Sequence, residues 1–179
     1  MEVPTGMEYE IRPAGLQDCV HIMRMIRELA EYEKLADKVQ ITEEVLKKDG
    51  FGDNPFYKCF VVELCSGQKS KEGFTVVGYA LYCIVYSTWE GPFVHLEDLY
   101  VMPEFRGTGM GKKLISKVAE VCVERKFSRL QLAVLDWNRP AMDFYLKKGA
   151  VNLTTSEGWH MMRFQGEALK GLAFSETGH

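Results

Sequence analysis

Apolar residues recur along this chain with two periods, and the switches between them lay out its elements. Cys19, Met23, Ile26, Leu29 and Ala30 return at helical spacing, which predicts an amphipathic helix over residues 17–32. Before it, residues 9–12 alternate and stop at Pro13, as a first strand would. Thr42 is placed to cap a second helix, with Glu43 and Glu44 in its first turn and Gly50 as its stop. Residues 51–55 form a turn cluster. Residues 57–64 and 75–87 are rich in Val, Tyr, Phe and Ile and flank a polar loop, residues 66–73. They predict an antiparallel hairpin whose loop is the one mobile segment. Residues 93–101 are the next strand, and Leu114, Ile115, Val118, Val121 and Cys122 mark the buried face of a helix after it. Residues 129–134 read as a buried strand, 140–147 as a short helix opened by Pro140 and stopped by Gly149, 159–164 as a final strand and 167–174 as a short terminal helix.

The predicted order is β-α-α-β-β-β-α-β-α-β. This is an α+β fold, a mixed central sheet with helices on both faces. One βαβ unit over residues 93–134 calls for a right-handed crossover. No repeat, low-complexity tract or linker divides the sequence, so residues 1–179 are expected to form a single domain, with the first eight or so and the last few residues flexible.

Composition narrows the function classes. The chain is 46% hydrophobic and 26% charged with a net charge of −3, ordinary for a globular domain and without the basic surplus of a nucleic-acid binder. The mild acidity suits a cationic substrate. The five cysteines, Cys19, Cys59, Cys65, Cys83 and Cys122, are odd in number and include no C-x-x-C pair. Cys19, Cys83 and Cys122 sit among apolar neighbours and read as core. A reducing, cytoplasmic setting follows. His21, His95, His160 and His179 show no metal-ligand spacing, so no metal is expected. Residues 1–10 lack the apolar stretch of a signal peptide, and no apolar run reaches membrane-spanning length.

The chemistry is concentrated where the strand at 93–101 gives way to a helix, in Arg106-Gly107-Thr108-Gly109-Met110-Gly111. Three alternate glycines leave backbone N–H groups uncovered at a helix N-terminus, where these groups lack intrahelical partners and the dipole is positive. Such a place binds phosphate or pyrophosphate. A Walker A loop is excluded, because Arg106 stands where its first glycine belongs and Lys113 where its Ser or Thr belongs. A dinucleotide loop is excluded by the G-x-G-x-G spacing and by its position past the middle of the chain.

The remaining pattern, Arg-x-x-Gly-x-Gly between strand and helix, resembles the pyrophosphate loop with which GNAT acyltransferases hold acetyl-coenzyme A. Ile11-Arg-Pro-Ala14, Arg27-Glu-Leu-Ala30, Asp49-Gly-Phe-Gly52, Asn54-Pro-Phe-Tyr57, Leu96-Glu-Asp98 and Glu157-Gly-Trp159 look like the spermidine/spermine N1-acetyltransferase family. Ser87-Thr-Trp89, Ala133-Val-Leu-Asp-Trp-Asn138, Ala141-Met-Asp143, Gly158-Trp-His160 and Phe164-Gln-Gly-Glu-Ala168 are similar to its thialysine-acetylating branch. The resemblance covers nearly the whole chain and implies the GNAT fold, acetyl-CoA as co-substrate, a small-molecule amine as acceptor and a homodimer, with neither nucleic acid nor membrane as partner. A polyamine acetyltransferase is the alternative within enzymes, and an acetyl-CoA-binding interaction module the alternative outside them.

Acetyl transfer to an amine sets three demands, and the resemblance assigns residues to each. The thioester must be held. Arg106, Gly107, Thr108, Gly109, Met110, Gly111 and Lys112 would cradle the pyrophosphate, Leu99, Tyr100 and Val101 would run beside the pantetheine arm, and Asn138, Arg139, Pro140 and Ala141 would add contacts to coenzyme A. A strand N–H there can polarise the thioester carbonyl. The amine must be neutral, yet with a pKa near 10.4 roughly one lysine-like molecule in 2,500 is free base at pH 7. The pair Glu97-Asp98 can attract the cation and remove its proton. Neighbours on a strand point to opposite faces, so only one should enter the cleft unless a bulge turns both inward; the family places Glu97 there. Tyr32, Glu33, Gln131, Leu132 and Ala133 correspond to further substrate contacts. Finally, the leaving thiolate needs a proton, and Tyr145 matches the family's donor.

Overall fold

The computed structural model describes residues 7–174, so most of the termini expected to be flexible, and His179, lie outside the described residues. Two compact units are present, one ending at Ala133 and one beginning at Val134.

The first unit is built on five strands in the order β1-β2-β3-β4-β5: β1 Tyr9–Pro13, β2 Lys58–Leu64, β3 Val76–Ser87, β4 Gly91–Val101 and β5 Leu130–Leu132. Neighbours are antiparallel from β1 to β4, and β5 joins β4 in parallel, so the sheet is mixed as expected. Helices α1 Cys19–Tyr32 and α2 Glu43–Phe51 fall between β1 and β2, and α3 Met110–Glu124 crosses from β4 to β5. In β3 every residue from Val76 to Tyr82 is buried. Successive strand residues point to opposite faces, so an unbroken buried run requires cover on both. Tyr79, Ile22, Met25, Leu96, Met110 and Leu114 are among the fully buried side chains.

Several boundaries differ from the sequence reading, each for a physical reason. Thr42 does cap α2, its side chain accepting from Val45 N–H. The helix nevertheless runs through Gly50 to Phe51 and is closed by Gly52. Gly50 is small because a Cβ there would come within 2.3 Å of the Tyr57 ring, not because the helix stops. The strand read at 129–134 shrinks to Leu130–Leu132 and is only half-buried, since it is an edge strand paired with β4 alone. Cys59, not Cys83, joins Cys19 and Cys122 in the buried set. The loop expected to be mobile is tied by Ser70 N–H to Phe74 O and by Lys71 N–H to the Glu104 carboxylate.

The second unit contains α4 Arg139–Leu146, α5 Leu153–Glu157 and α6 Gly166–Phe174. The α5 turn was not foreseen, although Asn152 caps it by accepting from Thr154 N–H. The strand read at 159–164 is absent: no described strand pairs with these residues, and Trp159, Met161, Met162 and Phe164 are exposed. An apolar run can signal strand propensity, but a strand exists only where a neighbour takes its backbone hydrogen bonds.

Candidate active site

The glycine loop has the geometry an anion site needs. Gly107 and Gly109 have φ of +79° and +90°, a region closed to ordinary side chains, which explains both glycines. Thr108 Oγ1 donates to Phe105 O at 2.6 Å and steadies the turn. Met110 is fully buried and pins the first residue of α3 to the core. Lys113 N–H bonds Gly109 O. Among the described residues, the N–H groups from Gly107 to Lys112 make no backbone hydrogen bond. Those donors, at the positive end of a helix of 15 residues, fit a pyrophosphate.

Next to the loop, β4 has a free edge. β5 pairs only with Val94, His95 and Leu96, so beyond Leu96 this side of β4 has no strand neighbour among the described residues. Backbone polar groups alternate between the two edges of a strand. Met102 N–H bonds Val77 O on β3, which directs the Tyr100 backbone to β3 and those of Leu99 and Val101 to the free edge. Arg106 Nε donates to Val101 O at 2.9 Å, and its guanidinium lies over the rings of Tyr32 and Tyr100, 5.3 and 5.5 Å from their centroids. Tyr100 therefore contributes through its ring and its hydroxyl, which donates to Glu28 at 2.8 Å, not through its backbone.

The two carboxylates sit where β5 parts from β4. Tyr82 pairs with Leu96, whereas the preceding Leu81 pairs with Asp98, so Glu97 is an extra residue, a β-bulge. Leu81 and Tyr82 point to opposite faces, and so must Leu96 and Asp98. The simple alternation that would admit only one acid is therefore broken, and Asp98 shares the face of Tyr79, His95 and Tyr100. Glu97 is exposed, with Oε2 3.2 Å from His95 Nε2. Asp98 is partly buried and accepts from the Tyr79 hydroxyl at 2.9 Å. Burial, with the charges of Glu97 and Glu33 adding to it, pushes the Asp98 carboxyl up to about 6 against the opposing pull of the Tyr79 hydrogen bond. Burial likewise raises Glu33, just past the end of α1. Two of the acids named from the sequence, Glu33 and Glu97, thus bear on the third, Asp98. Gln131, Leu132 and Ala133 lie at and just after β5, where Gln131 pairs with His95 and its Oε1 accepts from Arg129.

The remaining predicted residues belong to the second unit. Asn138 is buried and caps α4, its Oδ1 accepting from Ala141 N–H at 3.3 Å. Pro140 occupies the first turn, where a missing N–H costs nothing, and Arg139 pairs with Asp136. Tyr145 lies on α4, half-buried, its ring edge-on to Phe144 at 5.3 Å. Three neighbours in the first unit escaped the sequence reading: Tyr79, His95 and Glu28. A tyrosine inside a strand ordinarily signals packing; its only hint of more is that a buried hydroxyl needs a partner.

The free N–H groups at the start of α3 lie beside the stretch of β4 that β5 leaves uncovered. Residues 23–150 match the acetyltransferase (GNAT) family. The chain belongs to that family. It is 56% identical to a thialysine N-epsilon-acetyltransferase of Bos taurus over 91% of this chain and 96% of that one. It is 35% identical to the human spermidine/spermine N(1)-acetyltransferase-like protein 1, over 96% of this chain and 25% of that protein. A solved aminoglycoside N-acetyltransferase in complex with CoA shares the fold, with a TM-score of 0.67 at 19% identity over 90% of this chain and 97% of that one. This GNAT protein is an N-acetyltransferase, and acetyl-CoA is the donor that its family uses. Among the described residues, no helix is long and apolar enough to cross a membrane.

Proposed function

We propose that this GNAT enzyme transfers the acetyl group of acetyl-CoA to the primary amine of small amines, favouring thialysine and related aminoethyl amino acids over polyamines. The observation that carries this reading is the bulge that sets Glu97 and Asp98 together where β5 leaves the edge of β4, which supplies negative charge where an ammonium would meet the thioester. Leu99 and Val101 offer the edge, the loop from Arg106 to Lys112 takes the pyrophosphate, and Asn138, Arg139, Pro140 and Ala141 add contacts to coenzyme A. Glu97 withdraws the proton of the ammonium, with Asp98 holding the cation; Tyr32, Gln131, Leu132 and Ala133 line the acceptor, and Tyr145 protonates the departing thiolate. A thioether near the acceptor nitrogen lowers its basicity, so thialysine presents more free base than lysine does. The identity to the bovine relative over nearly its whole length supports the choice of acceptor. By the same resemblance the enzyme is a homodimer, and its five free thiols suit the cytoplasm.

Initial rates of thiol release with thialysine, lysine, spermidine and spermine, at one pH and saturating acetyl-CoA, test the reading. The highest kcat/KM is expected for thialysine. A preference for spermidine would replace it with the polyamine reading, and no release above background with any of the four would sink it. Light scattering at twice the monomer mass checks the dimer.

A further inference from the structure

Tyr79 is fully buried in the middle of β3, and its hydroxyl donates to Asp98 Oδ2 at 2.9 Å. Its own partner across the ladder is Tyr100, two residues further along β4, so the hydroxyl reaches Asp98 on the diagonal. That reach exists only because of the bulge. Were Glu97 paired regularly with Leu81, Asp98 would take the parity of Leu96 and leave the face on which Tyr79 lies. Burial and the adjoining Asp98 charge raise the Tyr79 hydroxyl well above its ordinary range, so it remains a donor at every working pH.

We infer that Tyr79 is a positioning residue for the acceptor site: its buried hydroxyl holds one oxygen of Asp98 and thereby fixes this carboxylate as a charge for the incoming ammonium. The inference rests on the acceptor reading above and deepens it. The groups whose charge or hydrogen bond acts on Asp98 are the Tyr79 hydroxyl on β3, Glu97 on β4 and Glu33 after α1; the Cys59 thiol on β2 feels the Asp98 charge in turn. Of these, Tyr79 is the one that favours the charged form. Bonding only Oδ2 leaves Oδ1 for the acceptor.

Tyr79→Phe keeps the ring and removes the donor. Carbon-13 NMR of the Asp98 carboxyl is expected to show its titration midpoint moved upward from about 6. At pH 6.5 the KM for the amine should rise about tenfold, the weight of one hydrogen bond to a charged group. The dissociation constant of acetyl-CoA should not change. In an Asp98→Asn background the same substitution should add nothing further. An unmoved midpoint overturns the inference. So does a Tyr79→Phe protein that fails to fold or to bind acetyl-CoA, because Tyr79 would then be a core residue and nothing more. If the wild-type enzyme acetylates none of the four amines, the acceptor reading fails, and the NMR midpoint still decides whether Tyr79 holds Asp98 as a charge.

Discussion

Leu96 and Asp98 lie two residues apart on one strand and on opposite faces of the sheet. The extra residue between them, Glu97, causes this inversion. It lets the apolar side chain stay in the core while the carboxylate joins Tyr79. It falls where β5 leaves β4, so one irregularity serves both the acid cluster and the open edge.

Asp98 stores instability. Its folded-state carboxyl is raised from 3.8 to about 6, so between those values the folded protein binds more protons than the unfolded one, and stability falls as pH rises through that window. Asp98→Asn is therefore expected to stabilise the fold at pH 7.5 by on the order of 2 kcal/mol and hardly at pH 4, while amine turnover drops. Urea denaturation at both pH values checks this; equal stabilisation at the two would disprove the linkage.

Glu97→Gln removes charge from an exposed side chain and leaves the bulge in place. The rate of thiol release should fall by about a hundredfold or more, as expected for loss of a general base. The KM for acetyl-CoA should stay where it is. A variant with wild-type kcat would move the base to Asp98.

Tyr145→Phe should slow turnover by about 10² to 10⁴ while acetyl-CoA still binds, as loss of a general acid requires. Calorimetric titration with acetyl-CoA beside the rate assay separates the two effects. Unchanged turnover would leave the ring as packing against Phe144.

Gly109 has φ +90° at the start of α3. Gly109→Ala forces a side chain into that region at a cost of about 1–2 kcal/mol. The strain should appear as a lower Tm together with a raised KM for acetyl-CoA. An alanine variant with native Tm and native KM would mean that the loop has no need of glycine there.

Arg12 forks onto both oxygens of Asp18, whose side chain is 3% exposed, and also reaches Glu63. Burial pushes Asp18 up, but the Arg12 bonds and Gly15 N–H prevail and hold it below its usual value. Its contribution is present above the ordinary carboxylate range and is lost as pH falls through the depressed value. Arg12→Met strands that charge and should cost about 3–5 kcal/mol at pH 7. The deficit should shrink in acid, where Asp18 takes up a proton; a pH-independent loss in urea titrations would rule this account out.

The phosphate loop, the main strands and the helices α1, α3 and α4 were legible in the sequence because each is a local matter: a spacing of glycines, a period of apolar residues, a cap or a stop. Thr42 caps its helix as its position suggested, whereas the cap that Asn138 supplies to α4 was not foreseen. Glu33, Glu97 and Asp98 were legible one by one, as acids at the ends of elements. What failed depended on partners. The run at 159–164 has strand residues but pairs with no described strand, and Gly50 looked like a stop until Tyr57 was packed against it.

By itself, then, the sequence determined the glycine loop at the start of α3, because a nest of N–H groups at a helix start is made by consecutive residues. Tertiary structure alone decided how the acids of β4 are placed. Whether Asp98 joins Tyr79 or turns away is a question of register between β3 and β4, and register is set by how two strands distant in sequence pack their apolar faces. The raised Asp98 carboxyl follows from the same packing, since burial and neighbouring charge belong to the assembled sheet and to no stretch of it.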